Sequence, residues 1–345
     1  MRTRVQRLGQ KLVPAPIALL ELAMSSMLTQ AIAVAAELRI ADTLADGPLT
    51  AEEIAGKVGA DPDGVYRLLR LLASNGIFAE RRDGRFRLTP MGAALRSDTP
   101  GSMRDFAAMM GHPLHWEEWS HLLEAVKTGE PSLPKVRGMG AFEFFAANPE
   151  YATKFMTGMG NLSKLETDPI LAAYDFSRYG TIVDVAGGGG GLLAGILKRA
   201  KKSRGVLFEA RAAELGAEEL FAEAGVADRA TIDAGGLFDP VTPGGDAYLL
   251  KHILHDWPEP QAMEILRNVR KAIADDGRLF LFEFVTPQGN KPHPAKLVDV
   301  WLMLMVGGRE RTEKQYAELL AEADFTLERV VHTASAVSIV VARPS

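Results

Sequence analysis

Asp184 is followed by Ala186, by five successive glycines (Gly187 to Gly191), and then by LLAGILKRA, a stretch with helical apolar spacing. Glycines that open a helix let backbone amides approach a ligand closely. Glu209 comes 19 residues after Gly190, the position from which a carboxylate accepts both hydroxyls of a ribose. Further on stand Gly235 and Gly236, Lys251, the run His255-Asp256-Trp257, and Glu283. Together these groups point to a nucleotide or nucleoside site with an imidazole and carboxylates beside it. No Gly-Lys-Ser/Thr follows the glycines, so a triphosphate-cradling loop is excluded, whereas a nicotinamide dinucleotide is compatible with the turn alone.

The elements that must position these groups follow from the apolar runs TIVDV, GVLFE, ATID, DAYLL, RLFLFEF, FTLERVV and VSIVVA, which alternate with helical patterns after Tyr179. Such alternation predicts an α/β fold around a seven-stranded, mostly parallel sheet. Only a few residues separate the last two runs, too few for a crossover helix, so these strands pair antiparallel. In open sheets of this kind ligands bind at the carboxyl ends of the strands. Each group named above leaves its strand at that edge.

The first third of the chain reads differently. Thr50 with Glu53 three residues on makes a capping box, Asn75-Gly76 closes the next helix, and FAERRDGRFRLTP folds as a hairpin around Asp83-Gly84. Helix, turn, helix and wing form a winged-helix-like module. Its nine basic and nine acidic residues between Ala33 and Arg96 balance, and a leucine-rich second helix offers few groups to base edges, so nucleic acid is not expected as a partner. Arg2, Arg4, Arg7 and Lys11 precede an apolar stretch from Ile17 to Ala36 and so imitate a secretory signal. Glu21, Ser25, Ser26, Thr29 and Gln30 interrupt that stretch, which predicts a helix buried against a partner subunit in a homodimer and no membrane span. Net charge −5, 47% hydrophobic residues and no cysteine describe a soluble chain without disulfides or thiolate metal sites, and a cytoplasmic location is expected. His112, His115 and His121 lack a paired carboxylate motif and read as core or solvent residues.

With IVDVAGGGGG (182 to 191), LLKHILHDWPE (249 to 259), FEFVTP (282 to 287) and GGRERT (307 to 312), the chain resembles, over nearly its whole length, the small-molecule O-methyltransferases that use S-adenosylmethionine, the family of plant caffeate-type and bacterial polyketide and carotenoid enzymes. The resemblance implies a seven-stranded Rossmann-like methyltransferase sheet preceded by a helical, winged-helix-like dimerisation domain. Its expected parts are a dimerisation domain at 1–100, a helical linker and substrate-pocket region at 101–174, and a cofactor-binding catalytic domain at 175–345. It implies His255 as general base toward a substrate hydroxyl, flanked by Glu283 and Glu310. An imidazole of ordinary pKa, about 6.5, would be largely neutral at pH 7 and ready to accept that proton. Asp184, Ala186, Gly188, Gly190, Glu209, Gly236, Leu237 and Lys251 match cofactor-binding positions, and Met159, Met303 and Asp256 match substrate-binding ones. S-Adenosylmethionine is the implied cofactor, S-adenosylhomocysteine its product, and a small aromatic hydroxyl compound the implied substrate. No metal is implied.

Three positions depart from the family pattern. Ala186 replaces the first glycine of the turn, Glu209 the usual ribose aspartate, and Gly236 the aspartate that contacts the adenine amino group. Losing one hydrogen bond costs on the order of 0.5 to 1.5 kcal/mol, about three- to tenfold in affinity. Methyl transfer to an aromatic hydroxyl is therefore the expected activity. A related enzyme performing decarboxylation or hydroxylation in the same pocket, and a dimeric winged-helix regulator without enzymatic activity, are the alternatives.

Overall fold

The computed structural model describes residues 12–345; Arg2, Arg4, Arg7 and Lys11 of the signal-like start lie outside the described residues. The described chain forms two compact units. One runs to Ser120 and includes Phe142–Ser163, and the other comprises His121–Ala141 and Lys164–Ser345. The region expected at 101–174 is thus divided between them.

Among the described residues the first unit opens on a helix, Ala15–Glu37, that is long and apolar enough by length and composition to cross a membrane. Leu19, Leu20, Leu22 and Met27 are exposed on it, whereas Ala31, Ala35 and Ala36 are buried. Thr50 caps Ala51–Val58 through the reciprocal bonds of a capping box with Glu53. Asp61 caps Pro62–Ser74, whose Val65, Leu69 and Leu72 pack with Ile40, Ile54 and the wing residues Phe78 and Phe86. Strands β1 (Phe78–Glu80) and β2 (Phe86–Leu88) pair antiparallel to form the wing. His115 is buried and accepts a hydrogen bond from Trp119, and His112 caps the helix Pro113–Trp119.

The second unit is built on β3 (Thr181–Val185), β4 (Arg204–Phe208), β5 (Ala230–Asp233), β6 (Ala247–Lys251), β7 (Arg278–Phe284), β8 (Phe325–His332) and β9 (Val337–Pro344). Their order in the sheet is β5-β4-β3-β6-β7-β9-β8. The first five are parallel, and β9 runs antiparallel to both β7 and β8, as the short gap before it requires. Strands β3, β6 and β7 bury nearly every residue, the pattern of strands covered on both faces. Leu192, Leu193, Ile196 and Leu197 of the helix Gly191–Arg199 join the core on one face of the sheet, and Ala262, Ile265, Leu266 and Val269 of Glu259–Ala272 join the core on the other. Burying a leucine or isoleucine side chain contributes roughly 1.5–3 kcal/mol. The chain moves outward from β3 through β4 to β5 and then returns to β6 beside β3. The crevice beyond the carboxyl ends of β3 and β6 lies at that switch of direction, where open sheets bind ligands.

Candidate active site

The glycine turn leaves β3 at this crevice. Ala186 adopts a left-handed backbone with φ 54°, and Gly188 and Gly190 follow at φ 58° and 76°. The left-handed conformation costs an L-residue roughly 1–2 kcal/mol, so the family's glycine at position 186 has a backbone reason and Ala186 carries the strain. Gly187 is bare for a different reason, since a Cβ there would lie 2.5 Å from the Asp184 carboxylate. That carboxylate is fully buried beneath the turn. Burial pushes its pKa up to about 7, with Lys251 and the Leu193 amide pulling against the rise and Glu209 adding to it.

Glu209 follows β4 directly. Its carboxylate accepts the Gly188 amide at 3.2 Å and the Arg211 amide at 3.1 Å, which joins the ribose-type carboxylate to the glycine turn. Beyond β5 the Gly236 amide donates to Asp239 Oδ2 at 2.7 Å, closing the turn on itself. Asp233 accepts from the Thr242 hydroxyl, and Leu237 packs half-buried against the sheet core. Two carboxylates and the bare glycine turn thus gather at the crevice, a donor and acceptor set that fits a nucleoside.

Lys251 ends β6, and its Nζ sits 3.0 Å from Glu166 Oε2 on the helix Pro149–Ala173. The neighbouring His252 donates through Nε2 to the same oxygen at 2.9 Å. Burial tends to raise the Glu166 pKa, but the bond to His252 and the charges of His252 and Lys251 hold it below the usual carboxylate range. His252 also has a left-handed backbone, φ 53°, with its amide tied to the Phe282 carbonyl at 3.1 Å.

His255 lies on a short 3-10 turn, Leu254–Asp256, and is buried. Its Nδ1 is 2.8 Å from Glu310 Oε1 and 3.5 Å from Glu283 Oε2. Its Nε2 is 3.5 Å from Asp256 Oδ1, outside normal hydrogen-bonding range. A carboxylate only accepts, so Glu310 fixes a hydrogen on Nδ1 and leaves Nε2 as the ring's other nitrogen. Glu283, fully buried in β7, reaches the turn by another route: its Oε1 accepts the amides of Ile253 and Leu254 at 3.2 and 3.0 Å. It therefore holds the backbone that carries His255 as well as facing the ring.

The charge state of the imidazole differs from the expectation. Burial by itself would strip its proton, but the facing carboxylates of Glu283, Asp256 and Glu310 outweigh burial and push the His255 pKa up to about 10. The resting ring is an imidazolium at pH 7, where its ordinary pKa would have left it largely neutral. Burial raises both Glu310 and Asp256, the former against the opposing pull of His255 and the latter likewise.

The segment carrying Glu310 is pinned to this turn by its backbone. Arg309 donates its amide to the His255 carbonyl at 2.9 Å, and a Cβ on Gly308 would come within 2.0 Å of that same oxygen. Arg311, almost wholly buried, donates to the Leu254 carbonyl at 3.0 Å and to Glu259 at 2.9 Å. Asp299 accepts the Glu310 amide at 2.8 Å. Met303 is half-buried in the helix Ala295–Met305 of this unit, and Met159 is half-buried in the first unit. The structure thus brings together Asp184, Ala186, Gly188, Gly190 and Glu209 on one side, and Lys251, His255, Asp256, Glu283 and Glu310 on the other. Glu166, His252, Gly308, Arg311 and Asp299 complete the site without having been singled out as site residues by the motifs. Gly308 and Arg311 lie inside the quoted GGRERT run and His252 inside LLKHILHDWPE, whereas Glu166 and Asp299 carried no such signal.

Comparison with known proteins shows the family and the fold. Residues 119–326 match the O-methyltransferase domain and residues 20–98 the O-methyltransferase dimerisation domain. The second match takes in most of the exposed apolar helix. A phenazine O-methyltransferase, PhzM, of Lysobacter antibioticus is 40% identical over 332 residues, covering 96% of this chain and 97% of that protein. An O-demethylpuromycin-O-methyltransferase of Streptomyces alboniger is 35% identical, covering 86% and 80%. Among solved structures, the calicheamicin-biosynthesis methyltransferase CalO1 in its SAH-bound form is 35% identical, with a TM-score of 0.86 and coverage of 96% and 98%. The chain belongs to the O-methyltransferase family, and its sheet and the two turns at its carboxyl edge are the frame on which it carries its candidate site.

Proposed function

We propose that this enzyme transfers the methyl group of S-adenosylmethionine to a hydroxyl of a small aromatic secondary metabolite, with His255 as general base. The observation that carries this reading is the 2.8 Å contact of His255 Nδ1 with Glu310, which leaves Nε2 as the proton-accepting nitrogen. Relatives named for phenazine and puromycin substrates support an aromatic acceptor.

The cofactor, when bound, supplies an electrophilic methyl group. Asp184, Glu209, Lys251 and the turn Ala186, Gly188 and Gly190 would hold it, with Gly236 and Leu237 beside the base moiety. Met303, Met159 and Asp256 are the proposed substrate-binding residues. His255 takes the hydroxyl proton at Nε2, and Glu283 and Glu310 stabilise the resulting imidazolium. A phenol has a pKa near 10, about that of tyrosine, and the cage places the imidazolium at about 10 as well. Proton transfer between the two is then nearly thermoneutral, although at pH 7 only a small fraction of the rings is in the neutral form that can accept it. Since the resting ring already carries a proton at pH 7, one proton leaves the enzyme before or during substrate binding.

Incubation with S-adenosylmethionine and a panel of hydroxylated naphthoates, phenazines and quinones, read by mass spectrometry, tests the activity. His255→Ala is expected to slow O-methylation by about a hundredfold or more. Unchanged O-methylation in that variant removes the base assignment, and a product methylated on nitrogen alone removes the hydroxyl acceptor.

A further inference from the structure

Two fully enclosed polar atoms beside the base have no hydrogen-bond partner among the described residues: Glu283 Oε2 and His252 Nδ1. Buried acceptors of this kind are normally satisfied by protein, water or an ion. They face each other at 4.0 Å, and His255 Nδ1 is 3.5 Å from the same Glu283 oxygen. The spacing is too long for a direct hydrogen bond. Two atoms bound to one tetrahedral zinc ion at about 2.0–2.2 Å each lie about 3.3–3.6 Å apart, so the His255–Glu283 separation already suits the ion and the His252–Glu283 separation needs about 0.5 Å of closure. One ligand atom from each of His252, His255 and Glu283 lies within 4.8 Å of the others, so side-chain adjustments of at most about 1.5 Å for the widest pair bring all three to one ion. Two imidazoles and one carboxylate are a ligand set that zinc accepts. His252 is half-buried as a residue, although its Nδ1 is enclosed, so entry of an ion requires the exposed edge of this ring to move.

We propose that His252, His255 and Glu283 form a binding site for a divalent cation of the zinc class, and that its occupancy switches the base off. Coordination needs the lone pair of His255 Nδ1, so the proton on that nitrogen is displaced to solvent. The neutral ring then keeps its hydrogen on Nε2, the nitrogen that has to accept the substrate proton. The cation also takes Nδ1 away from Glu310. An enzyme with bound substrates would be idle for want of a lone pair in the right place. Coordination stands on geometry alone, whereas the inhibition rests on the proposed role of His255, and the two are measured separately.

The full-length protein, freed of metal with a chelator, is titrated with Zn2+ by calorimetry and with Co2+ by visible absorption, and methyl transfer is followed across the same Zn2+ range. One ion per chain with micromolar or tighter affinity is expected, together with cobalt bands of nitrogen and oxygen coordination. His252→Asn and, as a second variant, Glu283→Gln should each weaken binding at least tenfold, with folding checked by circular dichroism. Their sensitivity to Zn2+, relative to each variant's own rate, should fall in parallel. Absence of stoichiometric binding to the wild type, or equal binding in both folded variants, overturns the site. Stoichiometric binding with undiminished methyl transfer overturns the switch and counts against His255 as base.

Discussion

Around His255 every neighbouring segment contributes a contact: Glu283 from β7 on the turn amides, Glu310 on the ring, Arg309 and Arg311 on the carbonyls of the turn. At the glycine turn the constraints are looser and partly strained. Ala186 bears a left-handed backbone that glycine would adopt freely, and Gly236 offers only a backbone amide, already donated to Asp239. The His255 turn is held from several sides, whereas the glycine turn carries backbone strain at Ala186. Positional precision contributes more to the chemical step than to cofactor affinity, since displacing a reacting group by about 1 Å costs on the order of a hundredfold in rate. A missing hydrogen bond costs only about three- to tenfold.

The sharpest way to break this contrast is Gly308→Ala. The new methyl would stand 2.0 Å from the His255 carbonyl and force the turn or the Glu310 segment to shift. Methyl transfer should fall by about a hundredfold, while calorimetric S-adenosylhomocysteine affinity stays near wild type. Equal losses in both would mean that the two halves are not separately built. Arg311→Lys comes next, because a lysine cannot reach the Leu254 carbonyl and Glu259 together. A fall in kcat of about tenfold is expected, corresponding to about 1.4 kcal/mol, with KM for the cofactor little changed.

On the cofactor side, Gly236→Asp restores the acid and should tighten S-adenosylhomocysteine binding about three- to tenfold by calorimetry. No change would show that Asp239, already on the Gly236 amide, blocks the restored side chain. Ala186→Gly is the smallest effect. Relief of the left-handed strain should raise unfolding free energy by about 1 kcal/mol in denaturant titrations, and a loss of stability would mean that the methyl packs better than the backbone suffers.

Much of this site was legible in the sequence because its groups sit at strand ends. Asp184, Glu209 and Lys251 occur at local signals, an apolar run followed by a glycine or a charged residue, and His255 lies in a short motif. The seven strands were legible for the same reason, and the antiparallel pairing of β8 and β9 followed from the length of one gap. Glu166 was not legible, being an ordinary glutamate within a helical stretch that meets His252 across 86 residues of chain. His252 stood inside the quoted motif, yet only its left-handed backbone and its stack on His255, with ring centroids 5.1 Å apart, reveal it as a neighbour of the base. The charge of His255 was misjudged because it depends on carboxylates from three segments acting together, which no spacing rule carries.

That charge also sets a pH dependence with a definite sign. The folded pKa of about 10 lies above the ordinary value of about 6.5. The ion pairs of the imidazolium therefore stabilise the fold fully below about pH 6.5, progressively less above it, and no longer once the pH has risen through about 10. The activity runs the other way: kcat/KM toward a phenol should climb with pH as the free enzyme's imidazolium is lost.

The central claim is the carboxylate cage around His255, and an NMR titration of the histidine ring nitrogens, with His255→Ala used to assign the signal, tests it most directly. The account predicts that His255 stays doubly protonated through neutral pH and titrates near 10, and that Glu283→Gln moves its midpoint downward. A His255 that titrates near 6.5, unmoved by Glu283→Gln, would contradict it.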